Sequence, residues 1–115
     1  MDTNQGAGTP GGGPAAAANT VTGSTPTTGQ TQAFAASPVD QVLYIVPAGT
    51  IAAQTITLPS DASSRLGQLC RFMTRQTITA VTMNGAANIV NPVTTMNAGE
   101  SFAFQKVAAD TWQRV

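Results

Sequence analysis

Acid–base and nucleophilic chemistry needs titratable side chains, and this sequence offers few. It has no histidine and one cysteine, Cys70. The carboxylates are Asp2, Asp40, Asp61, Glu100 and Asp110, and the basic groups are Arg65, Arg71, Arg75, Lys106 and Arg114. Without histidine the usual general base is missing. With a single cysteine no internal disulfide forms, and zinc or other transition-metal sites lack their common ligands. Cys70 as a nucleophile would need a neighbouring base to make thiolate. It lies in an apolar run, so it is expected as a small buried side chain. Asp61, Glu100 and Asp110 are the candidates for paired-carboxylate hydrolysis of a sugar or for calcium binding, which require closeness in space. They fall in three separate loops, where acids are mostly solvated. No catalytic residue, cofactor or metal is therefore expected, and the chain is read as a non-enzyme.

Two further patterns carry weak chemistry. Gly6-Ala7-Gly8-Thr9-Pro10-Gly11 spells a dinucleotide fingerprint, but the mechanism needs a strand before it and a helix after it. Gly12-Gly13-Pro14 follows instead, so the spelling is read as a low-complexity coincidence. Arg71 and Arg75 share one face of an expected strand. The formal net charge is zero, so there is no basic field for nucleic acid. No basic amphipathic helix suits a membrane surface, and no apolar run reaches the roughly 20 residues that span a bilayer. Met1-Asp2-Thr3-Asn4-Gln5 lacks the start of a signal peptide, so synthesis in the cytoplasm without secretion is expected.

The elements that must position these residues fall into two regions within 115 residues, room for one domain. Residues 1–38 hold seven of the eleven glycines and four of the seven prolines, with Asp2 as the only charge. Apart from Met1, the large apolar residues there are Val21 and Phe34. Such a segment buries too little to offset backbone ordering, so an extended arm is expected. Phe34, its lone aromatic, is expected to anchor the arm in a partner's pocket.

Residues 39–115 read as seven or eight short strands between turn signals. Val42–Val46 is apolar on both faces and ends at Pro47-Ala48-Gly49. Thr55-Ile56-Thr57-Leu58 alternates and stops at Pro59. In the strand from Leu69 to Thr74, Cys70 and Phe72 share one face, and Arg71 and Met73 share the other with Arg75. Ile78 has the opposite parity to Val81 and Met83, which predicts a bend near Ala80. Asn84-Gly85 marks a tight turn. Phe102 and Phe104 share a face, and Trp112 is the last large anchor. This spacing predicts an all-β fold, a small antiparallel β-sandwich or barrel of jelly-roll type. A core this small favours oligomerisation. Val42, Tyr44 and Val46, with Val21 and Phe34 of the arm, are the expected subunit contacts. Only 9% of residues are charged, which fits a surface resting on other proteins.

The residues from Tyr44 to Ala52 (YIVPAGTIA), Thr55 to Pro59 (TITLP), Gly67-Gln68, Thr77 to Thr82 (TITAVT), Asn91 to Gly99 (NPVTTMNAG), Phe102 to Val107 and Trp112 to Val115 carry a resemblance. In this order they resemble a β-module of tailed-bacteriophage virion proteins, found in capsid decoration (cement) proteins, head fibres and tail fibres. The resemblance covers Val42 to Val115. It implies a non-catalytic, usually trimeric structural protein. The expectation is a virion protein on the outer capsid surface that binds the major capsid protein, associates as a homotrimer and stabilises the shell. The alternative is a head- or tail-fibre component or a receptor-binding module.

Overall fold

The computed structural model describes residues 20–115. The Gly6–Gly11 spelling and most of the expected arm lie outside the described residues. Nine strands follow in order: β1 Thr20–Ser24, β2 Thr31–Ala33, β3 Gln41–Ile45, β4 Ile51–Thr57, β5 Leu69–Thr74, β6 Ile78–Asn84, β7 Asn88–Val90, β8 Ser101–Ala108 and β9 Thr111–Arg114. One turn of 3-10 helix, Asp61–Ser63, interrupts them. The fold is all-β, as the alternating pattern predicts.

The pairing corrects the expected antiparallel sandwich or barrel. β1 pairs with β3 and β3 with β5, both parallel. β2 pairs with β4 and β4 with β6, also parallel. The chain thus winds as a β-solenoid of three turns, β1–β2, β3–β4 and β5–β6, each passing once through both sheets. Each turn takes roughly 20–30 residues, the repeat length of solenoid architectures. Strands of equal period can pair in either direction, and Pro–Gly corners serve a coil as well as a hairpin. The residue pattern therefore did not distinguish the two.

The coil closes at its C-terminal end by antiparallel pairing. β8 pairs with β5 and β9 with β8, and β7 adds beside β9 in parallel. The first sheet therefore has six strands in the order β1-β3-β5-β8-β9-β7, against three in the second, β2-β4-β6. In the second sheet the N–H and C=O groups of Ile78 both bond Met96, and the N–H of Val81 donates to Thr94. The segment around Met96 thus covers the outer edge of β6.

The core fills the space between the sheets. Leu43, Ile45, Cys70, Phe72, Phe104 and Trp112 come from the first sheet, and Ile51, Ile56, Ile78 and Val81 from the second. Phe72 stacks on Phe104 with ring centroids 6.0 Å apart and planes 9° from parallel. The faces expected for Cys70 with Phe72 and for Phe104 are those found, and Trp112, the expected anchor, is buried. The expected bend near Ala80 is also present: Ile78 and Val81 both point inward although three residues apart. β4 makes the same switch in register, with Ile51 beside Ile78 and Gln54 beside Val81. Gly85 turns the chain at φ 99°, and a Cβ there would collide with the Leu58 carbonyl oxygen. Only glycine meets both demands.

The second correction concerns the boundary at Pro38. Residues 20–38 belong to the packed structure: β1 and β2 form the first coil, and the Phe34 N–H donates to Thr57 O. Phe34 is buried, 6.4 Å from Phe72 in an edge-on arrangement. It is a core residue of its own chain, not a free anchor. The low apolar content of residues 20–38 hides this, because side-chain hydrogen bonds from Gln41 and Gln54 and the one Phe34 ring hold the first described coil.

Candidate interaction face

The residues expected to make contacts sit on β1 and β3. In β3, Gln41, Leu43 and Ile45 point into the core, so Val42 and Tyr44 point out, with Val46 next in the row. All three are half-buried. Parallel registry then builds rows across the outer face of the first sheet. Val21 lies beside Val42, Val42 beside Arg71, and Arg71 beside Ala103. The next row runs Gly23, Tyr44, Met73 and Ser101. The Val115 N–H bonds Ala103 O, which extends the first row to the chain's last residue. Val21 and Val115 are 67% and 65% exposed. The face is thus mostly apolar, with Arg71 as the exposed charge at its middle.

Polar groups around this face are largely committed. Arg75 donates to the Tyr44 hydroxyl at 3.2 Å. That hydrogen bond holds the Arg75 guanidinium above its ordinary pKa. Asp40 accepts from Arg65 at 3.2 Å and from the Leu69 N–H at 3.0 Å. Between them a shallow hollow of about 120 Å³ is lined by Asp40, Gln41, Val42, Leu69, Arg71 and Ala103. Its small volume, well under the 300 Å³ or so of ordinary ligand pockets, suits a protruding side chain better than a small molecule.

The face is held in place by buried glutamines that the sequence reading missed. The Gln41 side chain bonds both the N–H and the C=O of Ala35, and that of Gln68 donates to Ser37 O and Val39 O. Together they pin the crossing from β2 to β3. Gln54 donates to Gln30 O and ties the first coil to the second. Gln41 shares its parity with Leu43 and Ile45, a signal that the polarity of the amide masked.

The other candidates resolve as follows. Asp61 and Asp110 come together, but through the Asp110 backbone N–H, which donates to Asp61 Oδ1 at 2.8 Å. The Asp61 carboxylate is also 2.8 Å from Lys106 Nζ. Lys106 is itself buried and donates to Ser64 Oγ and Asp61 O. The Lys106 hydrogen bond, then that of Asp110, holds the Asp61 carboxyl below its usual range. This geometry ties the 3-10 turn to β8 rather than poising an acid. Glu100 is engaged elsewhere, accepting from the Asn97 N–H. Burial, with Asp40 adding, pushes the Cys70 thiol up to about 12, so it stays protonated near neutral pH. Among the described residues no three His, Cys, Asp or Glu side chains gather as a metal site. No described helix is long and apolar enough to cross a membrane.

No family model, characterised protein or solved structure matches this chain. The outer face of the first sheet carries Val42, Tyr44 and Val46, the residues expected from the sequence to make contacts.

Proposed function

We propose that this protein is a non-enzymatic structural subunit of a bacteriophage virion, a trimer that binds the major capsid protein on the outer capsid surface and stabilises the shell. The observation that carries this reading is the outer face of the six-stranded sheet. Val21, Val42, Tyr44, Met73, Ala103 and Val115 surround Arg71 on a mostly apolar face of a domain with little charge. An apolar outer face, half-buried at Val42 and Tyr44 and exposed at Val21 and Val115, fits a contact site on a small domain. The resemblance of Val42–Val115 to phage decoration and fibre modules supplies the setting. Binding across subunit joints stabilises the assembled shell by mass action.

The test has two parts. Sedimentation of the purified protein at micromolar concentration should give a trimer or a multiple of it, and Val42→Asp should remove the three-fold association from a protein that stays folded. A wild-type monomer would refute trimerisation. Titration of phage capsids should then show saturable binding in hundreds of copies, and absence of binding would refute the shell reading. A second reading is a fibre or receptor-binding component, and the coil architecture speaks for it because stacked turns extend along one axis. A handful of copies per particle would select that reading.

A further inference from the structure

The two ends of the coil are unlike. At the C-terminal end β8 covers the edge of β5, and the Met96 segment covers the edge of β6. At the N-terminal end no described residue pairs with the outer edge of β1. The Val46 N–H donates to Ser24 O at 2.8 Å. The N–H and C=O of one strand residue point the same way and alternate along the strand. Val21 and Gly23 therefore turn their backbone groups to the side away from β3, where no described residue pairs.

Natural edges are guarded by charge, proline or a bulge. β1, of sequence Thr-Val-Thr-Gly-Ser, has none of these. No charged residue occurs between Asp2 and Asp40. Gly23 is the informative residue. Its backbone is not in the left-handed region, and a Cβ there would meet nothing within 4 Å. Neither its conformation nor its packing among the described residues asks for glycine, at a position near the exposed Val21.

We propose that β1 pairs in antiparallel fashion with β1 of a second copy across a two-fold axis at Thr22. In that register Val21 stands opposite Gly23 of the second copy, and Gly23 opposite its Val21. Each bare glycine is then covered by the valine of the other chain. Val21 and Gly23 of both copies exchange four backbone hydrogen bonds. A two-fold contact is self-complementary by construction, so one short strand supplies both halves. Without charge on either edge nothing repels the approach. The six-stranded sheet becomes continuous through two molecules. This edge contact shares Val21 with the outer face assigned above to trimerisation, but its hydrogen bonds come from the backbone of β1 and do not depend on Val42 or Tyr44.

Thr22 faces its own mate at a position without hydrogen bonds, where Cα atoms lie about 4.5 Å apart, within the range a disulfide spans. The experiment is oxidation of the purified Thr22→Cys protein in a glutathione buffer, read as covalent dimer on a gel. Cys70 is buried and does not compete. We expect the dimer to form roughly a hundredfold faster than for the exposed control Thr50→Cys, the advantage of a preformed pair. Gly23→Pro added to Thr22→Cys removes a free-edge donor without touching the β3 ladder, so it should abolish the excess while the β-rich spectrum is kept. Val42→Asp should leave it intact, which separates this contact from the trimer face. Equal rates for Thr22→Cys and Thr50→Cys would overturn the proposal, as would an excess that survives Gly23→Pro in folded protein.

Discussion

Replacing Phe34 by alanine separates two roles that one residue can hold. As a core residue it stabilises the fold; as a partner anchor it would leave stability untouched. The ring is 7% exposed and meets Phe72 edge-on at 6.4 Å. Burying such a ring contributes about 1.5–3 kcal/mol, and an edge-on aromatic pair adds about 0.5–1.5 kcal/mol. The expected cost of Phe34→Ala is therefore about 3 kcal/mol, at the low end of the 3–5 kcal/mol or so found for buried phenylalanines. The low end applies because no described residue packs on the far side of the first coil, which can settle inward. With a urea slope of about 2 kcal/mol per molar, the unfolding midpoint should fall by about 1.5 M. Trp112, the single tryptophan and fully buried, reports the transition by fluorescence. A shift under about 0.3 M would refute the assignment of Phe34 to the core. By the same reasoning, cutting the chain before Val39 removes β1, β2 and Phe34. That truncation should destabilise residues 39–115 rather than leave an intact module.

Other expectations are as direct. Gly85→Ala places a Cβ against the Leu58 carbonyl at a positive φ, and should cost about 3 kcal/mol or prevent folding, read by the same urea titration. Asp61 has a depressed pKa, so its contribution is present above the unfolded value near 4 and is lost as pH falls through the folded value. The stability gap between wild type and Asp61→Asn should therefore be full at pH 6 and close on acidification; a gap independent of pH would refute the Lys106 pairing. Cys70 should resist a thiol reagent at pH 8 in the folded protein and react at once in urea, and rapid labelling of native protein would contradict its burial.

Much of the face assignment was legible before the fold was known. Period-two alternation separates Leu43 and Ile45 from Val42 and Tyr44 whichever way the strands pair, although a run apolar on both faces leaves open which set is buried. It also separates Phe72 from Arg71. Strand direction was not legible, because parallel and antiparallel ladders share that period and the corners at Pro47 and Pro59 suit both. The extent of the domain was hidden by composition. Residues 20–38 look like linker because hydrogen bonds from Gln41, Gln54 and Gln68, rather than apolar area, hold the first coil. Lys106 shows the opposite conflict. Its parity with Phe102 and Phe104 points inward, its charge points outward, and Asp61 and Ser64 let parity win.

The winding has a consequence for how the chain reaches its fold. Parallel neighbours cannot be joined by a tight turn, so β1–β3, β3–β5 and their counterparts in the second sheet form only after long loops close, which is slow. Among the described strands β8 and β9 alone make a hairpin, through the short turn at Ala109-Asp110. Local nucleation therefore favours the C-terminal end, with the coils adding in sequence back toward β1. On the ribosome the order is reversed. The first coil leaves the exit tunnel well before β8 and β9, the hairpin from which that order starts, are made. Until synthesis is nearly complete its edges stay open, and crowding of nascent chains is the period of greatest risk for mispairing.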